Sequence, residues 1–265
     1  MKIAGRTVLL TGATGGLGHA IARALADKGA KLVMTGRRAD VLEPLAAELS
    51  GRAIAADLAD RAAIPKLLED TGDVDILVAN AGLPADGTVA DFTEEEIDRA
   101  LDVNLRAPIV LAKALSKGMV ERGEGHLLFM SSLSGKVATH SSAIYSATKF
   151  GLRGLASGMR QDLRDSGVGV SAIFPGPIRD AGMFSETEVD LPPGAGTRSP
   201  EDVARAVVRA IEQNRAEIDV GSLPVRLGSS VGSFAPSLIA ALNRRLGAEE
   251  IAAKVAGSAA HRAKR

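Results

Sequence analysis

The chain has 265 residues, enough to bury a substantial core as one large α/β domain or two small ones. Its 32 basic and 32 acidic residues balance, which argues against a nucleic-acid or polyanion partner. The absence of Cys excludes disulfides, thiolate metal sites and a cysteine nucleophile, and with 4 His no histidine-rich metal site is expected.

The first β-rich run is Thr7–Thr11, close enough to the N-terminus to leave no room for a signal peptide. It leads into Gly12, Gly16 and Gly18 and a helical stretch at Leu17–Lys28. Lys31–Thr35, Arg52–Asp57, Asp75–Ala79, His126–Ser131 and Val168–Phe174 read as further buried strands, with a short last one at Glu217–Val220. Between them Asp40–Leu49, Arg61–Asp70, Glu94–Val120, Ala143–Ser166 and Ser199–Asn214 carry helical spacing. The last of these starts with a Ser cap, Pro in the first turn and acidic residues behind it. Strands alternating with helices predict an α/β fold, one doubly wound parallel sheet of about seven strands with helices on both faces. No linker or internal repeat interrupts it. No apolar run approaches the ~20 residues that span a bilayer, so a cytoplasmic protein without a transmembrane segment is expected.

Two segments break the alternation. Residues 177–198 are rich in Pro and Gly, follow a strand end, and contain Met183, Phe184 and Leu191, which reads as an apolar lid over a ligand. From Ser222 to Arg265, Val225, Leu227, Val231, Phe234, Leu238, Ile239, Leu242 and Leu246 interleave with Arg244 and Arg245. That pattern fits amphipathic helices packed on the domain or on a neighbouring subunit, with membrane-surface contact as the lesser alternative.

The glycines form G-x-x-x-G-x-G between a strand and a helix, a spacing different from G-x-G-x-x-G but with the same physical use. A sharp backbone turn lets a pyrophosphate approach helical N–H groups that lack internal partners. The second strand ends in Thr35-Gly36-Arg37-Arg38. A carboxylate there would bind ribose hydroxyls, whereas two guanidiniums suit a 2′-phosphate, so NADP(H) is expected over NAD(H). Farther on, Tyr145 and Lys149 are four apart and share one helical face, and Tyr145 is the sole Tyr. A nearby ammonium favours the phenolate and would bring the phenol from a pKa of about 10 toward useful acid–base behaviour.

With these motifs in order, the chain resembles the short-chain dehydrogenase/reductase family over roughly residues 5–220. The matching elements are Thr11–Gly18, Asn80-Ala81-Gly82, Asn104 in Val-Asn-Leu, Ser131-Ser132 at a strand end, Tyr145-x-x-x-Lys149 and Pro175-Gly176. The resemblance implies a Rossmann-type single domain over residues 1–221, with the lid at 177–198 and a helical extension at 222–265. It implies Tyr145 as acid in carbonyl reduction or base in alcohol oxidation, and Lys149 as the group that lowers its pKa and binds the nicotinamide ribose. Ser132 would hold the substrate oxygen, and Asn104 a proton-relay water. Gly12, Thr14, Gly16, Leu17 and Gly18 would meet the pyrophosphate, and Arg37 and Arg38 the 2′-phosphate. Asp57 with Leu58 would contact the adenine, and Asn80, Ala81 and Gly82 the adenosine ribose side. Pro175, Gly176 and Ile178 would border the nicotinamide.

The implied activity is NADP(H)-dependent interconversion of a carbonyl and a secondary alcohol of a small, apolar substrate, by a homodimer or homotetramer. A catalytically silent cofactor-binding sensor would be expected to have lost Ser132, Tyr145, Lys149 or Asn104, and all four are present. A sugar-nucleotide epimerase would carry different glycine spacing and a longer substrate domain. Asp180 departs from the Thr the family often has there, and His140 reads as a loop residue without chemical duty.

Overall fold

The computed structural model describes residues 1–181 and 196–235. Seven parallel strands form one sheet: β1 (Thr7–Thr11), β2 (Lys31–Gly36), β3 (Arg52–Ala55), β4 (Ile76–Ala79), β5 (Gly125–Met130), β6 (Val168–Pro175) and β7 (Glu217–Val220). Their order is β3-β2-β1-β4-β5-β6-β7, so the direction of winding reverses between β1 and β4. The helices that join them are α1 (Gly16–Asp27), α2 (Ala39–Glu48), α3 (Ala63–Thr71), α4 (Glu94–Leu101), α5 (Ala107–Arg122), α6 (Ala143–Asp162) and α7 (Pro200–Gln213), and α8 (Leu223–Phe234) follows β7.

Successive strand residues point to opposite faces, and the strand sequences use this to feed two cores at once. Val8, Leu10, Ile76, Val78, Leu128 and Met130 meet Ile21 and Leu25 of α1, Leu42 of α2 and Val207 and Ile211 of α7. Leu9, Leu77, Leu127 and Phe129 turn the other way and meet Leu67 of α3, Leu111 of α5 and Leu152 of α6. Apolar residues on both faces explain why these runs read as continuous rather than alternating.

The ends of the helices are written locally. Ser199 accepts from the Asp202 amide at 3.3 Å while the Asp202 carboxylate accepts from the Ser199 amide at 3.0 Å, with Pro200 opening α7. Thr93 and Glu96 do the same for α4. The single helix expected over Glu94–Val120 is instead two, joined by a wide π turn at Asp102–Arg106 that contains buried Asn104. β3 ends at Ala55 rather than Asp57. The Asp57 carboxylate accepts from the Ala59 amide at 3.0 Å and starts a turn instead of extending the ladder. Met183, Phe184 and Leu191 of the expected lid, and Leu238, Ile239, Leu242, Arg244, Arg245 and Leu246 of the tail, lie outside the described residues.

Candidate active site

Every expected site residue sits at or just beyond the C-terminal end of a strand or on α6 or the π turn beside it. The winding reverses between β1 and β4, the place where open α/β sheets receive ligands.

At the end of β1, Gly12 has φ +66, and a Cβ there would come within 2.7 Å of the Ala81 Cα. A Cβ on Gly18 would strike the Gly12 carbonyl oxygen and lie 2.7 Å from the Ala13 Cα. These two glycines let β1, α1 and the end of β4 approach one another. Gly15 occupies the N-cap of α1 without a side-chain cap, so the first-turn amides at Gly16, Leu17 and Gly18 are not claimed by a capping side chain. Uncapped amides at a glycine-rich turn suit a pyrophosphate, and the local chemistry therefore fits a dinucleotide. Asn80 fastens the opposite wall. Its Nδ2 donates to the Thr11 and Gly12 carbonyls at 3.1 and 3.2 Å, and the Asn80 and Ala81 amides both donate to Thr11 Oγ1 at 3.0 Å. Thr11 is thus a structural partner for which the sequence reading assigned no role. Its signal was a Thr directly before the first glycine. Gly82 continues this wall and is half-buried.

Beyond β2, Arg37 and Arg38 are exposed. Arg38 donates to the Thr14 carbonyl at 2.5 Å, which pins its guanidinium beside the glycine turn. Gly36 admits the Thr14 side chain, whose Cγ2 would lie 2.8 Å from a Cβ at that position. The β2 end and the glycine turn are therefore interlocked, with both cations at their rim. Asp57 reaches the same region. Burial pushes its carboxyl up, but the bonds from the Ala59 amide and Arg99 outweigh this and hold it below the usual carboxylate range. Arg99, on α4, meets it at 3.1 Å. Sequence spacing gives no hint of this pair, which is 42 residues apart. The Leu58 side chain packs into the core, so a contact with adenine there would have to be made by its backbone.

The residues expected to do chemistry lie together. Tyr145 and Lys149 project from α6, with the ammonium 5.4 Å from the centre of the phenol ring and donating to the Met130 carbonyl at 3.0 Å. Ser132 follows β5. Its Oγ accepts from the Ser134 amide at 3.1 Å, lies 3.4 Å from the Pro175 carbonyl, and faces the phenol closely enough to hold its proton affinity down. Ser131 instead donates to the Lys149 carbonyl at 2.9 Å from a buried position, tying β5 to α6. The neighbouring serines therefore have distinct duties, one facing the phenol and one locking the helix. A Cβ on Gly135 would press on both Ser131 Oγ and the Lys149 carbonyl.

The electrostatics differ from the sequence expectation. Burial pushes the Tyr145 phenol above its ordinary value, the Asp86 carboxylate adds to this, and the neighbouring Ser132 works the other way. Burial also penalises the charge of Lys149 and draws it down to about 8. The ammonium stands 5.4 Å from the ring centre, and the phenol is raised rather than lowered in this arrangement.

Asn104 accepts from the Leu83 amide at 2.7 Å and donates to the Leu83 carbonyl at 2.9 Å from full burial in the π turn. At the far wall, β6 ends at Pro175, and the Gly176 amide donates to the Val220 carbonyl at 2.8 Å. Ile178 is buried and bridges in parallel to Arg198. Asp180 has φ +64 and pairs with Arg179 at 3.4 Å. His140 is exposed.

This winding order, a glycine turn at the first crossover and a phenol–amine pair on α6 define a class of Rossmann-type nucleotide-dependent oxidoreductases. The chain belongs to the short-chain dehydrogenase family, whose model matches residues 6–191. It is 35% identical over 259 residues to the ketoacyl reductase HetN of Nostoc sp., covering 92% of this chain and 90% of that one. A solved short chain dehydrogenase/reductase family protein superposes with a TM-score of 0.77 at 32% identity, over 83% of this chain and 97% of the other. A short-chain dehydrogenase from Sphingobium yanoikuyae in complex with NADPH superposes with a TM-score of 0.76 at 26% identity, over 88% and 95% of the two chains. The protein is an oxidoreductase of this family.

Proposed function

We propose that the protein is an NADP(H)-dependent reductase that interconverts a carbonyl and a secondary alcohol, with Tyr145 as the proton donor and acceptor. The observation that carries this reading is the approach of Ser132, after β5, to Tyr145 on α6, with the Lys149 ammonium 5.4 Å from the centre of the phenol ring. Bound nicotinamide supplies or accepts the hydride at the substrate carbon.

The chain's own residues would do the rest. Ser132 donates to the substrate oxygen and fixes it beside the phenol. A phenol held neutral by burial keeps its proton until that oxygen gains charge, then gives it up, which suits the direction of reduction. Lys149, 5.4 Å from the centre of the phenol ring, would hold the ribose hydroxyls, and its depressed affinity for a proton suits it to pass one on. Asn104, whose side chain is committed to the Leu83 backbone, would support a proton-relay water through the π turn it holds. The amides at Thr14, Gly16, Leu17 and Gly18 would receive the pyrophosphate, Arg37 and Arg38 the 2′-phosphate, and Asp57 the adenine edge. Ala81 and Gly82 would flank the ribose, with Pro175, Gly176 and Ile178 beside the nicotinamide.

Residues 1–221 would form the catalytic unit, with 177–198 as its lid and 222–265 as an extension, acting in the cytoplasm on an apolar carbonyl compound. Homodimer or homotetramer formation through α5 and α6 is supported by Ile109, Val120 and Phe150, which are exposed on those helices. Light scattering measures the number.

Because HetN is named a ketoacyl reductase, a 3-oxoacyl thioester belongs in the first substrate panel beside simple ketones. Oxidation of NADPH by any member, followed by loss of absorbance, supports the reading. NADPH binding without turnover on a broad panel would favour a silent sensor.

A further inference from the structure

Among the described residues two lysines are buried, Lys149 and Lys136. The first belongs to the candidate active site, and the second has no part in the chemistry assigned to it. The Lys136 ammonium donates to Asp219 Oδ1 at 2.6 Å and meets Glu217 Oε2 at 2.8 Å, both on β7. It also stands 4.1 Å from the centre of the Phe174 ring on β6. A second cation completes the group. Arg153 of α6 donates to Glu217 Oε1 at 2.8 Å, with its guanidinium 5.8 Å from the same ring. Burial pushes the Glu217 carboxyl up, but the bonds from Arg153 and Lys136 outweigh this and hold it below the usual carboxylate range. Two cations and two carboxylates thus balance, which is the condition for burying any of them.

A buried ion pair adds little net stability, because lost hydration cancels much of the attraction. What it adds is direction, and here each arm reaches an element that carries a site residue. Ser132 caps the start of the short 3₁₀ turn Leu133–Gly135, and Lys136 caps its end. The Gly135 amide donates to the Ser132 carbonyl at 2.8 Å and the Lys136 amide to the Leu133 carbonyl at 2.9 Å, so serine and lysine are the two ends of one hydrogen-bonded turn. Arg153 lies one helical turn beyond Lys149 on α6. Phe174 pairs with Asp219 in the sheet, and the next pair is Pro175 with Val220. Pro175 supplies the carbonyl that lies 3.4 Å from Ser132 Oγ. The β6–β7 pair therefore anchors the serine turn, the carbonyl beside the serine hydroxyl, and the helix of Tyr145 and Lys149.

We propose that Lys136 is a positioning residue, which through Glu217 and Asp219 holds the Ser132 hydroxyl facing the Tyr145 phenol without itself touching substrate or cofactor. The inference rests on the reading of Ser132 as the donor to the substrate oxygen. Removing the ammonium releases the far end of the turn from β7 and takes from Asp219 the cation that faces it. The serine hydroxyl then loses its fixed place beside the phenol, and the reaction slows although the cofactor cradle, on the other side of the sheet's switch point, is unchanged. Methionine has an apolar, unbranched stem much like that of lysine, so Lys136→Met deletes the charge and keeps most of the packing on Phe174.

The test is a double-mutant cycle in the full chain between Lys136→Met and Ser132→Ala. Turnover of NADPH with a 3-oxoacyl thioester is the first readout. Lys136→Met should lower kcat at least about tenfold, with KM and the NADPH dissociation constant within about threefold of wild type. In the Ser132→Ala background the same change should cost less than about twofold, since the hydroxyl it positions is gone. The second readout needs no substrate and decides the matter where turnover is absent. Tyr145 is the sole tyrosine and the chain has no tryptophan, so the tyrosine band in near-ultraviolet circular dichroism belongs to this residue. Lys136→Met should alter that band as Ser132→Ala does, and the double variant should alter it no further. Asp219→Asn, which weakens the same arm and keeps its shape, takes the place of Lys136→Met if thermal unfolding shows that variant unfolded. Wild-type kcat in the folded variant, equal losses in both backgrounds, or an unaltered tyrosine band would overturn the proposal. Ser132→Ala turning over like the wild type would overturn it together with the reading it rests on, a result distinct from the other three.

Discussion

Asn104 closes both backbone groups of Leu83 with one side-chain amide, accepting from its N–H at 2.7 Å and donating to its C=O at 2.9 Å. The pair is fully buried, and it joins the π turn to the segment that follows Asn80-Ala81-Gly82. Asn104→Ala should leave two buried backbone groups unpaired and destabilise the protein by about 2–4 kcal/mol. Urea unfolding measures this. Asn104→Asp should also destabilise, because a carboxylate cannot donate to the Leu83 carbonyl.

Gly18→Ala should fail at the cradle. Its methyl would meet the Gly12 carbonyl and the Ala13 backbone, atoms that cannot swing aside like a flexible side chain. Destabilisation of about 1–3 kcal/mol is expected, with NADPH affinity lowered at least about tenfold. Fluorescence titration of NADPH against the folded variant reads the second effect.

Arg37→Asp should move the ratio of kcat/KM for NADPH over NADH toward NADH by at least about tenfold, since a carboxylate repels a 2′-phosphate and accepts from ribose hydroxyls. Arg38 is already committed to the Thr14 carbonyl, so its replacement should also loosen the glycine turn. Steady-state rates with both cofactors check this, and a wild-type preference for NADH would contradict the expected selectivity.

His126 supplies a pH dependence. It is buried on β5 with its Nε2 2.9 Å from Ser171 Oγ, and burial draws its pKa from 6.5 to about 3, with the N-terminal ammonium and Arg160 acting in the same direction. Below pH 6.5 the unfolded chain takes up a proton that the folded chain refuses until about pH 3. Stability should therefore fall as the solution is acidified through that window, by about 1.4 kcal/mol per pH unit from this residue. The slope of urea stability against pH between 5 and 6.5 should be shallower in His126→Gln by about that amount per pH unit.

Much of this was readable from the chain. The strands announced themselves because residues such as Leu9 and Leu10 are apolar on both faces, which only a covered parallel sheet needs. The glycine turn and the Tyr145–Lys149 spacing are local patterns, so sequence distance alone puts their parts together. The division at Asp102–Arg106 was not readable as a break, since both flanks keep helical periodicity and the extra residue is absorbed by a wider turn. The Asp57–Arg99 pair and the contact of Ser131 with the Lys149 carbonyl join distant segments, and no local rule foretells them. The protonation of the phenol was misjudged because spacing reports that two groups share a face and says nothing about how much water each has lost.

The most direct measurement is turnover by Tyr145→Phe, with NADPH binding followed in parallel on a substrate the wild type reduces. A loss of kcat of at least about a thousandfold, with the NADPH dissociation constant within about threefold of wild type, is the expected result. Turnover retained within about tenfold would show that the transferred proton does not come from this phenol, and would contradict the account.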